Sequence, residues 1–101
     1  MLKILLCGAL GKMGAAVKNA VANADDCTIA GEVDVRFSEN EGFSSFEKVE
    51  GQYDCIIDFS HPSVTDSMLD YALETKTPVV LCTTGLSGDQ LERVKAAGKE
   101  I

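Results

Sequence analysis

Short apolar runs alternate along the chain with segments in which apolar residues recur every three or four positions. The runs have the length and composition of buried strands. We predict strands at Leu2–Cys7, Thr28–Val33, Cys55–Phe59 and Val79–Cys82. The other segments have the period of a helix with one buried face. We predict helices over residues 11–24, from His61-Pro62 onward, and from Ser87 onward.

Two of the helices carry recognisable start signals. Pro62 suits the first turn of a helix, because its missing N–H would have no intrahelical partner there. Ser87 is followed three residues later by Gln90, and this pair makes a capping box. Both signals place the helix start directly after a predicted strand and its loop.

Residues 35–52 are the least regular segment, with apolar residues only at a few points. Phe46 and Val49 are three apart and fit one short helical turn, whereas a very short strand near Phe43 is the alternative. The preceding strand contains Gly31 and Glu32, so it is less apolar than the other three. We therefore expect that strand to lie nearer an edge of the sheet.

The order β-α-β-loop-β-α-β-α predicts one α/β domain over residues 1–101. Alternating strands and helices favour a doubly wound parallel sheet of the Rossmann type with right-handed crossovers. After the last helix this alternation calls for a further strand. We therefore expect the chain to be one domain cut from a longer protein.

Composition narrows the range of partners. The formal net charge is −7, which disfavours nucleic acid as a partner. The first apolar run is too short for a signal peptide or a membrane helix, so a cytoplasmic protein is expected. The cysteines are Cys7, Cys27, Cys55 and Cys82. Without a CxxC pair they predict reduced, mostly buried thiols and no metal site.

Three glycines follow the first strand, at Gly8, Gly11 and Gly14. Parallel α/β folds bind pyrophosphate where a first strand passes into a first helix. We expect Gly8 to permit the tight turn, Gly11 to let the backbone approach the phosphates, and Gly14 to let the helix lie close to the sheet. The usual spacing is G-x-G-x-x-G, and its first glycine would fall on Ala9 here.

Asp34 lies at the end of the second strand, 20 residues after Gly14. A dinucleotide site has an acid at this position, which accepts hydrogen bonds from the adenosine ribose. The alternative is that Asp34 only ends the strand. Arg36 and Lys12 are either candidate partners of a 2′-phosphate or ordinary solvated cations. Because an acid repels a 2′-phosphate, we predict that NADH is preferred and NADPH tolerated.

Two further loops follow strand ends, "DFSHP" at 58–62 and "CTTG" at 82–85. Such loops meet the turn at residues 8–14, called the glycine turn below, at one edge of a parallel sheet. The side chains expected to line one crevice are therefore those of Ser60, His61, Thr83 and Thr84. The alternative is that Ser60 or His61 only caps a helix and that Gly85 only completes a turn. We predict no catalytic residue in this chain.

"GALGKMG", "DFSHP" and "CTTG", in this order and spacing, resemble the N-terminal domain of the 4-hydroxy-tetrahydrodipicolinate (dihydrodipicolinate) reductases over essentially all 101 residues. The resemblance implies an NAD(P)H-dependent reductase of lysine and diaminopimelate synthesis, which transfers a hydride to a cyclic unsaturated dicarboxylate. The implied pyrophosphate contacts are Gly8, Ala9, Leu10, Gly11, Lys12 and Met13. The other implied cofactor contacts are Asp34 at the ribose, Ser60 and His61 in the cleft, and Cys82, Thr83 and Thr84 toward the nicotinamide.

This chain departs from the family pattern in two side chains and one segment. Cys82 stands where the family has glycine, and His61 where many members have arginine. The 35–52 segment is short for the family, which leaves the third strand open. The resemblance places the catalytic histidine and lysine, the dicarboxylate-binding loop and the contacts of a homotetramer in a C-terminal domain. We therefore expect this chain to bind cofactor without turnover.

Two other functions fit the glycine turn and Asp34. One is a non-enzymatic NAD(H)-sensing Rossmann module, and the other is the first domain of a different NAD(P)-dependent dehydrogenase. The "DFSHP" and "CTTG" loops favour the reductase, because a sensor needs no threonine-lined nicotinamide pocket.

Overall fold

The computed structural model describes residues 2–37, 42–83 and 85–98. The strands are β1 (Leu2–Cys7), β2 (Cys27–Val33), β3 (Cys55–Asp58) and β4 (Val79–Leu81). The helices are α1 (Lys12–Ala22), α2 (Pro62–Thr75) and α3 (Gly88–Ala97), with a short 3-10 turn at Phe46–Lys48. Strands and helices alternate as predicted, and each lies within a few residues of its expected place.

The four strands form one parallel sheet in the order β2-β1-β3-β4. The crossovers β1-α1-β2 and β3-α2-β4 run in opposite directions, and right-handed crossovers of opposite direction place their helices on opposite faces. The Rossmann-type prediction is confirmed. From β1 the chain adds β2 on one side and then β3 and β4 on the other. The order of the strands therefore reverses between β1 and β3, and this switch point is the place where such sheets bind ligands.

The predicted strands agree with the structure to within one residue at each end, and β2 lies at an edge of the sheet as expected. β3 lies inside the sheet, paired with both β1 and β4, which settles the open question about the third strand. β3 and β4 each end one residue earlier than predicted. Their pairing continues as single hydrogen bonds, from Phe59 N–H to the Cys7 carbonyl (3.0 Å) and from Cys82 N–H to the Asp58 carbonyl (2.8 Å).

Both faces of the central strand β1 are covered. Leu5 and Leu6 are adjacent, point to opposite faces and are both fully buried. On one face the core continues through Ile56 of β3 and Met68 of α2. Burial of such side chains stabilises the fold by roughly 1.5–3 kcal/mol each.

The 3-10 turn joins the irregular segment to this core. Phe46 is buried, and its ring centroid lies 5.5 Å from that of Tyr71 on α2. Phe43 also forms an isolated parallel bridge with Val33 at the end of β2. The segment therefore contains both the predicted helical turn at Phe46 and a strand-like contact at Phe43.

The prediction of mostly buried cysteines is wrong, although all four thiols are free. Only Cys7 is buried, whereas Cys27 and Cys55 are half-buried and Cys82 is exposed. The reason is position within the strand. Cys27 and Cys55 begin their strands and Cys82 follows β4, so the layers above and below the sheet do not cover them.

Candidate functional site

A cavity of about 550 Å³ opens at the carboxyl ends of β1, β2 and β3. It is bounded by the glycine turn, the end of β2, the 3-10 turn and the loop that leads into α2. The lining residues are Cys7, Gly8, Gly11, Val33, Asp34, Val35, Arg36, Ser44, Ser45, Phe46, Phe59, Ser60, His61, Pro62, Ser63, Val64 and Ser67. The cavity therefore lies at the switch point of the sheet.

Position 8 requires glycine for two reasons, which are the backbone conformation of the turn and the closeness of the loop that follows β3. Its φ is +79°, a conformation that residues with a Cβ rarely adopt. A Cβ there would also lie 2.7 Å from the Phe59 carbonyl oxygen. The glycine turn therefore packs directly against the loop that follows β3.

Gly14 and Gly11 serve different purposes. A Cβ on Gly14 would lie 2.5 Å from the carbonyl oxygen of Gly8 and 2.7 Å from that of Ala9. The close approach at Gly14 is thus between α1 and the backbone of the turn, rather than with the sheet as expected. A Cβ on Gly11 would come no nearer than 3.4 Å to the Gly8 oxygen. The fold therefore has room for a side chain at position 11.

The three helices differ in how their first N–H groups are satisfied. His61 caps α2 through Nδ1, which accepts a hydrogen bond from Ser63 N–H (3.1 Å). Ser87 and Gln90 form the predicted capping box of α3. The cap of α1 is Gly11, which has no side chain to offer. The first amides of α1 are therefore left for another acceptor.

Asp34 connects the glycine turn to the end of β2. One carboxylate oxygen, Oδ2, accepts from Leu10 N–H and Arg36 Nη2, and Oδ1 accepts from the backbone N–H and Nε of Arg36, each at 3.0 Å. Asp34 is only 6% exposed. The Arg36 side-chain hydrogen bonds, together with the two backbone N–H donors, lower the pKa of Asp34 to about 2, against the opposing effect of burial.

Asp58 is a second anchoring carboxylate, which sequence reasoning did not single out. It is fully buried, and Oδ1 accepts hydrogen bonds from Ser60 N–H (2.9 Å) and the Ser60 hydroxyl. These bonds hold the loop after β3 against Gly8. An aspartate at the end of a buried strand, followed two residues later by serine, was the available signal.

Cys7 lies beneath the same loop. Burial, reinforced by the negative charge of Asp58, raises the pKa of the Cys7 thiol to about 12. The thiol therefore stays protonated and unreactive at neutral pH.

Of the remaining predicted cofactor contacts, some line the cavity and others lie outside it. Ser60 and His61 line the cavity, and the capping alternative for His61 is confirmed. Ala9 is buried beneath the turn, whereas Leu10, Lys12 and Met13 are exposed on it. Cys82 and Thr83 follow β4 and do not border the cavity, so these two are not brought into the crevice with Ser60 and His61. Thr84 lies outside the described residues.

The sequence model of "Dihydrodipicolinate reductase, N-terminus" matches residues 2–101. The chain belongs to this family. It is 35% identical to the 4-hydroxy-tetrahydrodipicolinate reductase of Clostridium novyi and 36% identical to that of Clostridium tetani, in each case over 100% of this chain and 41% of the relative. The chain therefore spans about two fifths of the length of these curated relatives.

The fold is also that of the family. A dihydrodipicolinate reductase from Paenisporosarcina sp. TG-14, solved with dipicolinate bound, superimposes with a TM-score of 0.78 at 20% identity. The match covers 96% of this chain and 43% of that one. Within residues 2–37, 42–83 and 85–98, no group of three His, Cys, Asp or Glu side chains is placed to hold a metal ion, and no helix there is long and apolar enough to cross a bilayer.

Gly11 and Gly14 should respond differently to replacement by alanine. Gly14→Ala should lower the free energy of unfolding by about 1–3 kcal/mol, because the new methyl group forces α1 away from the turn. Gly11→Ala should change it by less than about 0.5 kcal/mol. Urea unfolding followed by circular dichroism measures both. Equal destabilisation by the two variants would contradict the geometry.

The Asp34 network predicts a specific loss of stability in acid. The folded-state pKa of about 2 lies below the ordinary value of 3.8, so the network contributes stability above about pH 4 that is lost as the pH falls toward 2. Asp34→Asn should flatten the dependence of unfolding free energy on pH in that window. Asp25→Asn, which removes an exposed carboxylate before β2, is the charge-matched comparison. A wild-type slope in Asp34→Asn would refute the assignment.

Proposed function

We propose that this domain binds NAD(P)H and is the dinucleotide-binding part of a 4-hydroxy-tetrahydrodipicolinate reductase. One observation carries the proposal. The N-terminus of α1 has no side-chain cap, and the glycine that precedes it has room for a side chain that it does not carry. A ligand that must approach the backbone closely explains a glycine that the fold itself does not require.

The residues present fit a dinucleotide at this edge of the sheet. The free amides and the positive end of the α1 dipole suit a pyrophosphate. Lys12, exposed in the first turn, adds a positive charge beside it. Asp34 fixes the turn through the Leu10 amide, so the amides are in place before the ligand arrives.

The adenosine half fits the described cavity. Its volume of about 550 Å³ is within the ordinary range for ligand pockets of about 300–1,000 Å³. Phe46 and Val64 supply apolar surface for a base, whereas Asp34 and Ser60 supply polar groups at its edge. The Ser60 hydroxyl donates to Asp58, so toward a ligand it offers its oxygen as an acceptor.

The nicotinamide half would extend from the glycine turn across the end of β3 toward Cys82, Thr83 and Thr84. The order β1-β3-β4 supports this direction, because it places the end of β4 on the far side of β3 from the adenosine cavity. Cys82 is exposed there and its side chain would lie near the ring. The contacts made through backbone groups do not depend on that side chain.

The chemistry that the cofactor supplies is hydride donation. In the proposed reaction the acceptor is a cyclic unsaturated dicarboxylate of lysine and diaminopimelate synthesis. The dipicolinate bound to the Paenisporosarcina reductase is a small ring dicarboxylate of the same kind. This chain's residues bind and orient the dinucleotide, and the substrate-binding and proton-donating groups belong to the rest of a cytoplasmic homotetramer.

The family match favours this reductase over an NAD(H) sensor or another dehydrogenase. For the cofactor, we propose that NADH is preferred and NADPH tolerated. The negative charge of Asp34 at the end of β2 supports this order, because it repels a 2′-phosphate.

Gly11→Ala tests the site without disturbing the fold. The added methyl group would stand in front of the α1 amides, so we expect affinity for NADH to fall by about tenfold or more, or about 1.4 kcal/mol. Gly88→Ala is the matched control, since Gly88 begins α3 with nothing within 4 Å of the added carbon. Isothermal titration calorimetry measures both. Wild-type affinity in Gly11→Ala would contradict the proposed pyrophosphate site.

The proposed division of labour predicts that this chain alone has no reductase activity. Incubation with NADH and the cyclic dicarboxylate substrate should leave the reduced-nicotinamide absorbance unchanged. The full-length protein under the same conditions is the positive control. Oxidation of NADH by the 101-residue chain would show that the chemistry has been placed in the wrong part of the protein.

A further inference from the structure

Three buried side-chain oxygens among the described residues have no hydrogen-bond partner in the protein. They are Oδ2 of Asp58, Oγ1 of Thr65 and Oγ1 of Thr83. Asp58 and Thr65 are fully buried, whereas Thr83 is half-buried with its hydroxyl oxygen inside. Because buried polar groups in folded proteins almost always have a partner, these exceptions require a physical reason.

The sheet brings two of these oxygens to one corner, beneath the start of α2. Asp58 follows Ile56 by two residues, so both side chains point to the face of the sheet that Met68 of α2 covers. Leu81 is the partner of Asp58 in β4, and Thr83 follows Leu81 by two residues on the same face. Asp58 and Thr83 therefore lie side by side at the carboxyl ends of β3 and β4.

Thr65 closes this corner from the helix side. It is the first buried residue of α2 and lies one turn before Met68 and Leu69, on the face that packs against the sheet. The loop after β4 meets the start of the same helix, because a Cβ on Gly85 would lie 3.7 Å from Cγ of Pro62, an ordinary packing distance. The third oxygen therefore faces the other two where this loop contacts the helix.

The three groups have the chemistry of a site for one water molecule. Oδ2 of Asp58 accepts hydrogen bonds, and each threonine hydroxyl donates one and accepts others. A water that donates to Asp58 and to one threonine, and accepts from the other, satisfies all three, and buried waters typically make about three such bonds. Asp58 and Thr65 are fully enclosed, so a larger ligand group does not reach them. The positive end of the α2 dipole disfavours a cation in the same place.

We propose that Asp58, Thr65 and Thr83 hold one internal water molecule, and that this water fixes the loop after β4 against β3 and α2. Through its other oxygen the same Asp58 carboxylate binds Ser60, so one side chain positions the loops that follow both strands. The consequence for the cofactor rests on the proposed function, in which the loop after β4 contacts the nicotinamide. Thr65 is then a positioning residue for the nicotinamide half of the site.

Thr65→Val tests the water through the sign of its effect on stability. Valine has nearly the shape of threonine, so the loss of a buried hydroxyl that has no partner should raise the urea midpoint of unfolding. The loss of a hydroxyl that binds water should lower the midpoint, and this is the result that we expect. Thr83→Val should lower it as well. The double variant should lose less than the sum of the two, because either change disrupts the same water.

Thr75→Val is the matched control. Thr75 lies at the other end of α2, and its hydroxyl donates directly to the Tyr71 carbonyl (2.8 Å). Its effect on the midpoint should therefore add to that of Thr65→Val. A high-resolution crystal structure locates the water itself. We expect one density peak at about 3 Å from all three oxygens in the wild type, and no peak there in the Thr65→Val/Thr83→Val variant.

Calorimetric titrations with NADH and with ADP-ribose, which lacks the nicotinamide, test the consequence for the cofactor. Thr65 does not line the cavity proposed for the adenosine half. In Thr65→Val we expect NADH to bind about threefold or more weakly, and ADP-ribose to bind as in the wild type. Thr75→Val should leave both affinities unchanged.

The outcomes separate the water site from the function. A raised midpoint in Thr65→Val, full additivity with Thr83→Val, or direct bonds between the three side chains in the crystal overturns the internal water. A wild-type midpoint that rises with potassium chloride but not with tetramethylammonium chloride overturns it in favour of a cation. Equal loss of affinity for NADH and ADP-ribose, or no loss of either, overturns the positioning role. Failure of the wild type to bind either ligand overturns the proposed function, whereas the midpoints and the density still decide on the water, because they involve no cofactor.

Discussion

The carboxylate of Asp34 holds the glycine turn in place through its hydrogen bond to the Leu10 amide, and the arrangement of the candidate site depends on that contact. The turn leaves the sheet at β1, whereas Asp34 directly follows the neighbouring strand β2. A bond between them fixes the direction in which α1 begins. Because hydrogen bonds hold the pKa of this carboxylate low despite its burial, it keeps its charge throughout the physiological range. The amides of α1 are thereby oriented without a ligand, which is the condition for tight binding of a small anion.

Asp58 supports the turn from the opposite side. It ends β3, the other neighbour of β1, and binds Ser60 so that the following loop packs against Gly8. The turn is thus held between two strand-end aspartates with different partners. One partner, Arg36, is a long exposed side chain that can move, and the other, Ser60, is a short one in the loop itself.

Features set by neighbours in sequence were predictable, and features set by tertiary contacts were not. The strands, the capping box at Ser87 and the edge position of β2 follow from short-range patterns. The contact of Gly14 did not, although the Gly8 and Ala9 carbonyls that it approaches are near in sequence, because the approach depends on how the turn folds back against the start of α1. The side chain of Arg36 lies two residues from Asp34, but only its rotamer decides between pairing and solvent. Cys82 and Thr83 directly follow β4, as expected. Their absence from the cavity was not predicted, because the switch point places the cavity on the other side of β3.

The most direct test of the account is an amide-resolved NMR titration of the domain with NADH. The central claim is that backbone N–H groups at the start of α1 bind the pyrophosphate. It predicts that the largest amide shift changes fall on Gly11, Lys12, Met13 and Gly14, accompanied by a change in the ³¹P signals of the cofactor. Shift changes concentrated around α3, with the amides of residues 11–14 unmoved, would contradict it.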